Sequence, residues 1–461
     1  MGSTPDPIVR LLTEIVGREH VRTDAASFER YGQDALGIGH PPDLVVIPAT
    51  TSEISAVARV CDEHRVPLVV RGAGTGYTGG AVPTRGGVVL SMERFNRILE
   101  VDEANLLAVV EPGVITADLQ RAVERVGLFY PPDPASLEIS SIGGNVAECA
   151  GGPRGFKYGT TRRYVLALEV VLPGGEVLEL GSKAVKNVVG YDVLQLLIGS
   201  EGTLAIITKI TLRLIPRPPA RATLRATFAD VQAAVDAVTA LIRRRVVAAT
   251  LELIDAESLE AVAEHLGEPI APPGTGAMLI VEADGPGAAV DAEIEQAAHA
   301  CREAGATAVT LAAGDEERER LWSARRLVSL ALRATGLQKI NHDVVVPRGR
   351  IPELFGIVET LRGQFGLRIA AFGHAGDGNI HVNLLVTPGD AGERARARTA
   401  ERQLFEQVVA LEGSISGEHG IGFAKAPYIG IELSPDEIAL MKRIKQAFDP
   451  HGILNPGKIF P

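Results

Sequence analysis

The chain has 461 residues, 46% of them hydrophobic, and a formal net charge of -11. That length carries about two to three domains with substantial cores, and the acidic balance argues against a general nucleic-acid surface. Only Cys61, Cys149 and Cys301 occur, with no Cys-x-x-Cys pair, so the chain itself offers no iron–sulfur or cysteine–zinc site and no disulfide framework.

A reducing cytoplasm is the expected compartment, with a peripheral position at a membrane still compatible. No apolar run of about 18 residues would span a bilayer, and the N-terminus lacks the basic region and apolar core of a signal peptide. Met1-Gly2 is followed at position 6 by Asp6, so myristoylation is not expected.

The first expected element is a helix. Asp6 caps it, Pro7 suits its first position, Ile8, Leu11, Leu12 and Ile15 share a face, and Gly17 stops it. Asp43 to Ile47 reads as a buried strand. Thr50 and Glu53 form a capping box that opens a helix with Ile54, Val57 and Cys61 on one face; Cys61 is then a core residue. Leu68 to Val70 completes a β-α-β unit. Strands follow at Val165 to Leu172, Glu176 to Leu180 and Leu204 to Leu214. Pro216-Arg217-Pro218-Pro219 is a composition break read as a domain boundary.

Beyond it, Ala222 to Phe228, Thr250 to Ile254, Met278 to Glu282 and Ala306 to Leu311 read as strands, and Val231 to Ile242 and Val290 to Ala304 as helices. This order suits an α+β domain with helices on one face of an antiparallel sheet. The Arg- and Glu-rich stretch from Glu393 to Arg402 reads as a solvated helix face.

The chemistry-bearing motifs lie in loops. Arg71-Gly-Ala-Gly-Thr-Gly-Tyr-Thr-Gly-Gly80 follows a strand. Its glycines let backbone amides converge on an anion such as a dinucleotide pyrophosphate, although a plain tight loop is also compatible. Ala81-Val-Pro-Thr cannot start a helix cleanly, which argues against a Rossmann unit and for a nest of amides without a helix dipole. A second cluster runs from Pro131-Pro-Asp-Pro through Ser141-Ile-Gly-Gly-Asn145 to Ala150-Gly-Gly152, and a third is Gly199-Ser-Glu-Gly-Thr203. Three such loops suggest one long ligand.

Near the C-terminus, His374-Ala-Gly-Asp-Gly-Asn-Ile-His381 reads as strand, turn, strand. Folding it brings His374 and His381 near each other, and Glu418 in Gly417-Glu-His-Gly420 can add an oxygen. Two nitrogens and a carboxylate leave open positions, as catalytic metal sites do. Taken alone, the two histidines are equally compatible with ordinary hydrogen-bonded roles.

With these motifs and Asn455-Pro-Gly-Lys458 taken together, the chain from about Pro41 to Phe460 resembles the FAD-linked D-2-hydroxyacid dehydrogenases. That family includes D-lactate dehydrogenase, the FAD subunit of glycolate oxidase and D-2-hydroxyglutarate dehydrogenase, within the vanillyl-alcohol oxidase and p-cresol methylhydroxylase superfamily. The resemblance implies an α+β fold: a two-part FAD-binding domain over residues 1–218 (flavin-binding core about 41–217), an antiparallel-sheet α+β cap domain for substrate and metal over 219–415, and a C-terminal segment, 416–461, returning to the FAD domain.

It implies oxidation of a small D-2-hydroxy acid, D-lactate or glycolate being the simplest, to the 2-oxo acid. Arg71, Gly72, Ala73, Gly74, Thr75, Gly76 and Gly79 would cradle the pyrophosphate, with Pro132, Ser141, Gly143, Gly144 and Asn145 along the flavin. Glu201 and Gly202 would lie near the adenosine half, and Asn455 would return the tail to the flavin. No His lies between Arg71 and Gly80, so FAD is expected to be non-covalent.

His374, His381 and Glu418 would hold a divalent ion, zinc or manganese. His419 would be the base, its ordinary pKa lying near working pH. Arg325 in Leu321-Trp-Ser-Ala-Arg325 would hold the substrate carboxylate, helped by Ser329 one helical turn on; Asn379 would also touch substrate. Dicarboxylate-using relatives have a lysine at about Asn341, which weakens a 2-hydroxyglutarate assignment although Lys339 is near. Electrons would leave to an unknown acceptor: a quinone, a cytochrome, an electron-transfer flavoprotein or a separate iron–sulfur subunit. A homodimer is left open.

Overall fold

The computed structural model describes residues 6–461; the reading of Met1 and Gly2 falls outside them. The chain forms two compact units. The first comprises the chain up to Gly151, Thr160–Arg217 and Glu418–Pro461, and the second comprises Gly152–Gly159 and Pro218–Gly417.

In the first unit, helix Thr51–Glu63 separates strands Leu44–Val46 and Leu68–Arg71, and both strands pair in parallel with Val88–Ser91. Thr50 accepts from the Glu53 amide at 3.2 Å. The Glu53 carboxylate takes the Ala49 amide, one residue earlier than in the expected capping box. Ile8, Leu12, Ile54, Val57 and Cys61 form one core with Leu44, Leu68, Val88 and Leu454. A five-stranded antiparallel sheet runs in the order Ile98–Asp102, Leu107–Val110, Ile206–Arg213, Val165–Val171, Val177–Gly181.

The C-terminal tail adds to the first sheet: Leu454 bridges Leu68, and the Asn455 amide donates to the Leu68 carbonyl at 2.8 Å. Asp449 fixes this approach. Its buried carboxylate accepts from the Ile453 and Leu454 amides at 3.1 and 2.8 Å and pairs with Lys445. Asp449→Ala orphans two amides and removes the counter-charge of a mostly buried cation, so a loss of about 3 kcal/mol is expected. A lowered urea midpoint would show it, and an unchanged midpoint would contradict it.

The second unit is built on a seven-stranded antiparallel sheet. Its order is Ala308–Leu311, Ala220–Phe228, Ala277–Gly285, Thr250–Asp255, Arg368–His374, Asn379–Val386, Gln338–Val345. Helices lie in two groups, not on one face as the sequence suggested: Ala256–Leu266 with Asp315–Ala334, and Val231–Arg243, Gly287–Glu303, Ile351–Phe365 and Ala391–Ala410. The physical reason is that all six residues of Thr250–Asp255 and all eight of Asn379–Val386 are buried, and strands buried on both sides need cover on both.

Candidate active site

In the first unit, residues 72–87 connect two parallel strands without a helix. The loop is held from beneath. The Arg71 guanidinium donates to the Gln33 carbonyl at 2.7 Å, and a Cβ on Gly74 (φ +72) would stand 2.1 Å from Arg71 Nη2. Ser141 Oγ accepts from the Ala73 and Gly144 amides, both at 3.3 Å, which ties the first glycine loop to the second. A Cβ on Gly72 would meet that oxygen at 2.4 Å, and one on Gly143 would meet Pro112 at 2.4 Å. Here close approach demands glycine.

Unlike the first loop, the second does open a helix, Ile142–Glu148, capped by Ser141. Asn145 spends its amide on Thr116 Oγ1 at 2.7 Å, and the Pro132 carbonyl accepts from Gln120. Among the described residues the amides of Gly74, Thr75 and Gly76 donate to no protein acceptor, and the nearest atom to a Cβ on Gly76 is 3.8 Å away. An open row of amides fits the pyrophosphate of a dinucleotide.

The segment 418–423 lies on this loop. The Tyr77 and His419 rings stack at 5.3 Å with 24° between planes, and Thr78 Oγ1 donates to the His419 carbonyl at 3.1 Å. Phe423 lies under Gly79, and a Cβ on Gly422 (φ +52) would be 2.0 Å from the Thr78 carbonyl. Glu418 Oε1 is 3.9 Å from His419 Nε2.

Glu201, expected near the adenosine half, commits its carboxylate to protein amides. Its buried carboxylate accepts from the Ile421 and Gly422 amides, both at 2.7 Å. Its backbone is left-handed (φ 53), as are Gly202 (φ 65) and Asn455 (φ 41). Asn455 Nδ2 donates to the carbonyls of Gly80 and Glu201 at 2.8 and 2.7 Å. The two residues therefore fasten the His419 segment and the tail to the glycine loops. Burial, reinforced by Glu201 and then Asp34, raises the Glu148 carboxyl well above its ordinary value.

The second unit gathers His374, His381 and Arg325. Strands Arg368–His374 and Asn379–Val386 pair so that Phe372 faces His381 and His374 faces Asn379. The histidines are diagonal neighbours on one face, and their rings meet edge to face with centroids 5.3 Å apart. Both are almost wholly buried. His374 Nδ1 lies 2.5 Å from Glu252 Oε1, and His381 Nδ1 lies 3.7 Å from Asp343 Oδ1. With each Nδ1 turned toward a carboxylate, a metal ion would be taken by Nε2, the arrangement metal-binding histidines commonly have.

Arg325, also buried, donates from Nε to Glu252 Oε2 at 2.7 Å and lies over the Phe372 ring. Burial alone would raise the Glu252 carboxyl, but His374 and Arg325 outweigh it and hold it at about 2. Asn379 gives its amide to Asp343 and to the Val344 carbonyl at 2.6 and 2.9 Å, so it braces the hairpin. Ser329 accepts from Lys339 Nζ at 2.6 Å. Asn341 pairs with Asn383. Asp343 also accepts the Gly417 amide at 2.9 Å, one residue before Glu418.

Sequence reasoning missed Glu252 and Asp343. A signal was present: each is an acid inside an otherwise strand-like stretch, Thr250-Leu-Glu-Leu-Ile and Ile340-Asn-His-Asp-Val-Val. A buried carboxylate there needs partners.

Two family descriptions match, "FAD binding domain" over residues 42–181 and "FAD linked oxidases, C-terminal domain" over 217–459. The glycolate oxidase subunit GlcD of Bacillus subtilis (strain 168) is 44% identical over 450 residues, 97% of this chain and 96% of that protein. A D-lactate dehydrogenase of Archaeoglobus fulgidus is 38% identical over 417 residues, 90% of this chain and 91% of that one. In fold, p-cresol methylhydroxylase with substrate bound superposes with a TM-score of 0.81 at 21% identity, covering 99% of this chain and 98% of that one. The chain is therefore an FAD-linked oxidoreductase, a member of the FAD-linked oxidase family.

Proposed function

We propose that this protein oxidises a small D-2-hydroxy acid, D-lactate or glycolate, to the 2-oxo acid, using non-covalent FAD and a divalent cation, zinc or manganese. The observation that carries the reading is the buried, mutually perpendicular His374–His381 pair with a carboxylate behind each Nδ1. The names of the relatives, glycolate oxidase subunit and D-lactate dehydrogenase, support the substrate class.

Bound here, the flavin would supply a hydride acceptor and the cation a Lewis acid for the substrate hydroxyl. His374 and His381 would hold the cation through Nε2, with Glu418, bonded directly to Gly417, adding an oxygen. His419 takes the hydroxyl proton, its ring oriented by Tyr77. Glu252 engages Arg325 Nε and Nη2, so Nη1 is the donor a substrate carboxylate would meet. Ser329 and Asn379 act at one remove: Ser329 accepts from Lys339, and Asn379 braces the hairpin.

The test is a panel of D- and L-2-hydroxy acids with an artificial dye acceptor, run with and without chelator. The expected result is turnover of D-lactate or glycolate that chelation abolishes and zinc or manganese restores. No turnover with any acid after flavin and metal loading would sink the reading. Gly72→Ala tests the cradle separately: the new methyl displaces Ser141 Oγ from the Ala73 and Gly144 amides. FAD affinity of the apoprotein, read by flavin fluorescence, should fall about tenfold, or about 1.4 kcal/mol; unchanged affinity would contradict the placement.

A second reading concerns assembly. The relatives named as subunits support a chain that passes electrons to a separate iron–sulfur partner, since its three cysteines are free and two are buried. Co-purification from the native cell would test it, an iron-free, fully active preparation counting against it.

A further inference from the structure

We propose that Glu252 is a positioning residue that sets two parts of the site at once, the metal-binding tautomer of His374 and the orientation of Arg325. The inference rests on the proposed metal site and goes beyond it to a residue outside the ligand set.

Glu252 is fully buried in the strand Thr250–Asp255, opposite His374 in register. Its two oxygens are divided. Oε1 lies 2.5 Å from His374 Nδ1, while Oε2 accepts from Arg325 Nε at 2.7 Å and pairs with Nη2 at 2.6 Å. A carboxylate is an acceptor only, so the His374 nitrogen facing it must carry the proton. That assigns Nδ1–H to His374 and leaves metal coordination to Nε2. The same anion fixes the edge of the guanidinium, and the Phe372 ring packs its face at 4.8 Å. One carboxylate thereby sets the spacing between the cation that would meet the substrate carboxylate and the imidazole that would hold the ion.

His381 is supported differently. Its Nδ1 is 3.7 Å from Asp343, beyond hydrogen-bond length, and Asp343 is also occupied by Asn379 and the Gly417 amide. Orientation of the pair therefore depends more on Glu252 than on Asp343.

A carboxamide cannot satisfy both partners. If its oxygen faces Arg325, its NH₂ faces His374 Nδ1 and favours the wrong tautomer. If it is turned round, its NH₂ opposes the guanidinium. The experiment is zinc affinity of the FAD-loaded protein, measured by competition with a fluorescent chelator, for wild type, Glu252→Gln and Glu252→Asp. Affinity of Glu252→Gln should fall about 10- to 100-fold, the usual cost of losing a partner behind a metal-bound histidine. Glu252→Asp should recover part of it, and the flavin absorption spectrum should be unchanged in both. KM for the acid should rise in Glu252→Gln as Arg325 loses its anchor.

Zinc affinity within twofold of wild type in a folded Glu252→Gln protein would overturn the proposal and leave the metal site standing. Wild-type protein that binds no zinc would overturn both. Should Glu252→Gln fail to fold, the ¹⁵N-histidine spectrum of zinc-loaded wild type, assigned by difference from His374→Gln, decides. Nδ1–H on a zinc-bound His374 is the expected form, and coordination through Nδ1 would overturn the proposal.

Discussion

His419→Ala should lower turnover of the hydroxy acid by about 10²- to 10⁴-fold, the contribution of a positioned general base, without removing flavin. The separation follows from how the segment is fastened. The imidazole stacks on Tyr77, but the backbone from His419 onward is held by other contacts: Thr78 Oγ1 on the His419 carbonyl, and the Ile421 and Gly422 amides on Glu201. Removing the ring leaves these in place, so flavin content and absorption should match wild type. Anaerobic mixing of the oxidised enzyme with excess substrate gives the direct reading, as slowed bleaching of the flavin band. Wild-type bleaching in the variant would mean the proton leaves by another route.

His381→Ala should abolish turnover to the level of chelated wild type, with loss of bound metal after dialysis. His381 is the cleaner of the two histidines to remove. Truncating His374 would also strip Glu252 of one of its two buried partners, at a further cost of about 1–3 kcal/mol in stability. His374→Ala should therefore lose metal and melt earlier, while His381→Ala should lose metal with a smaller change in melting temperature. Metal content by elemental analysis and a thermal scan separate the two. Full metal retention in His381→Ala would remove it from the ligand set.

The parts of this architecture legible in the sequence were those written in local pattern. The β-α-β unit shows in Thr50, the apolar stripe of Ile54, Val57 and Cys61, and the apolar strands either side. The hairpin shows in Gly376-Asp-Gly between apolar runs, and its closure does bring His374 and His381 together. What was not legible depends on pairing across long stretches of chain. Glu252 reaches His374 over 122 positions and Glu201 reaches Ile421 over 220, and no spacing rule announces either. The Glu201 carboxylate accepts from the Ile421 and Gly422 amides, a pairing that no local motif shows. The cover on both faces of the second unit's sheet is not legible because Asn379–Val386 alternates polar and apolar residues as far as Leu384, the pattern of a half-exposed strand, yet all eight residues are buried.

The most direct test is a crystal structure of the zinc-soaked protein with diffraction collected on both sides of the zinc absorption edge. Anomalous density bonded to Nε2 of both His374 and His381, at about 2.0–2.1 Å, is the predicted result. Zinc bound elsewhere, with these two rings contacting only protein, would contradict the account.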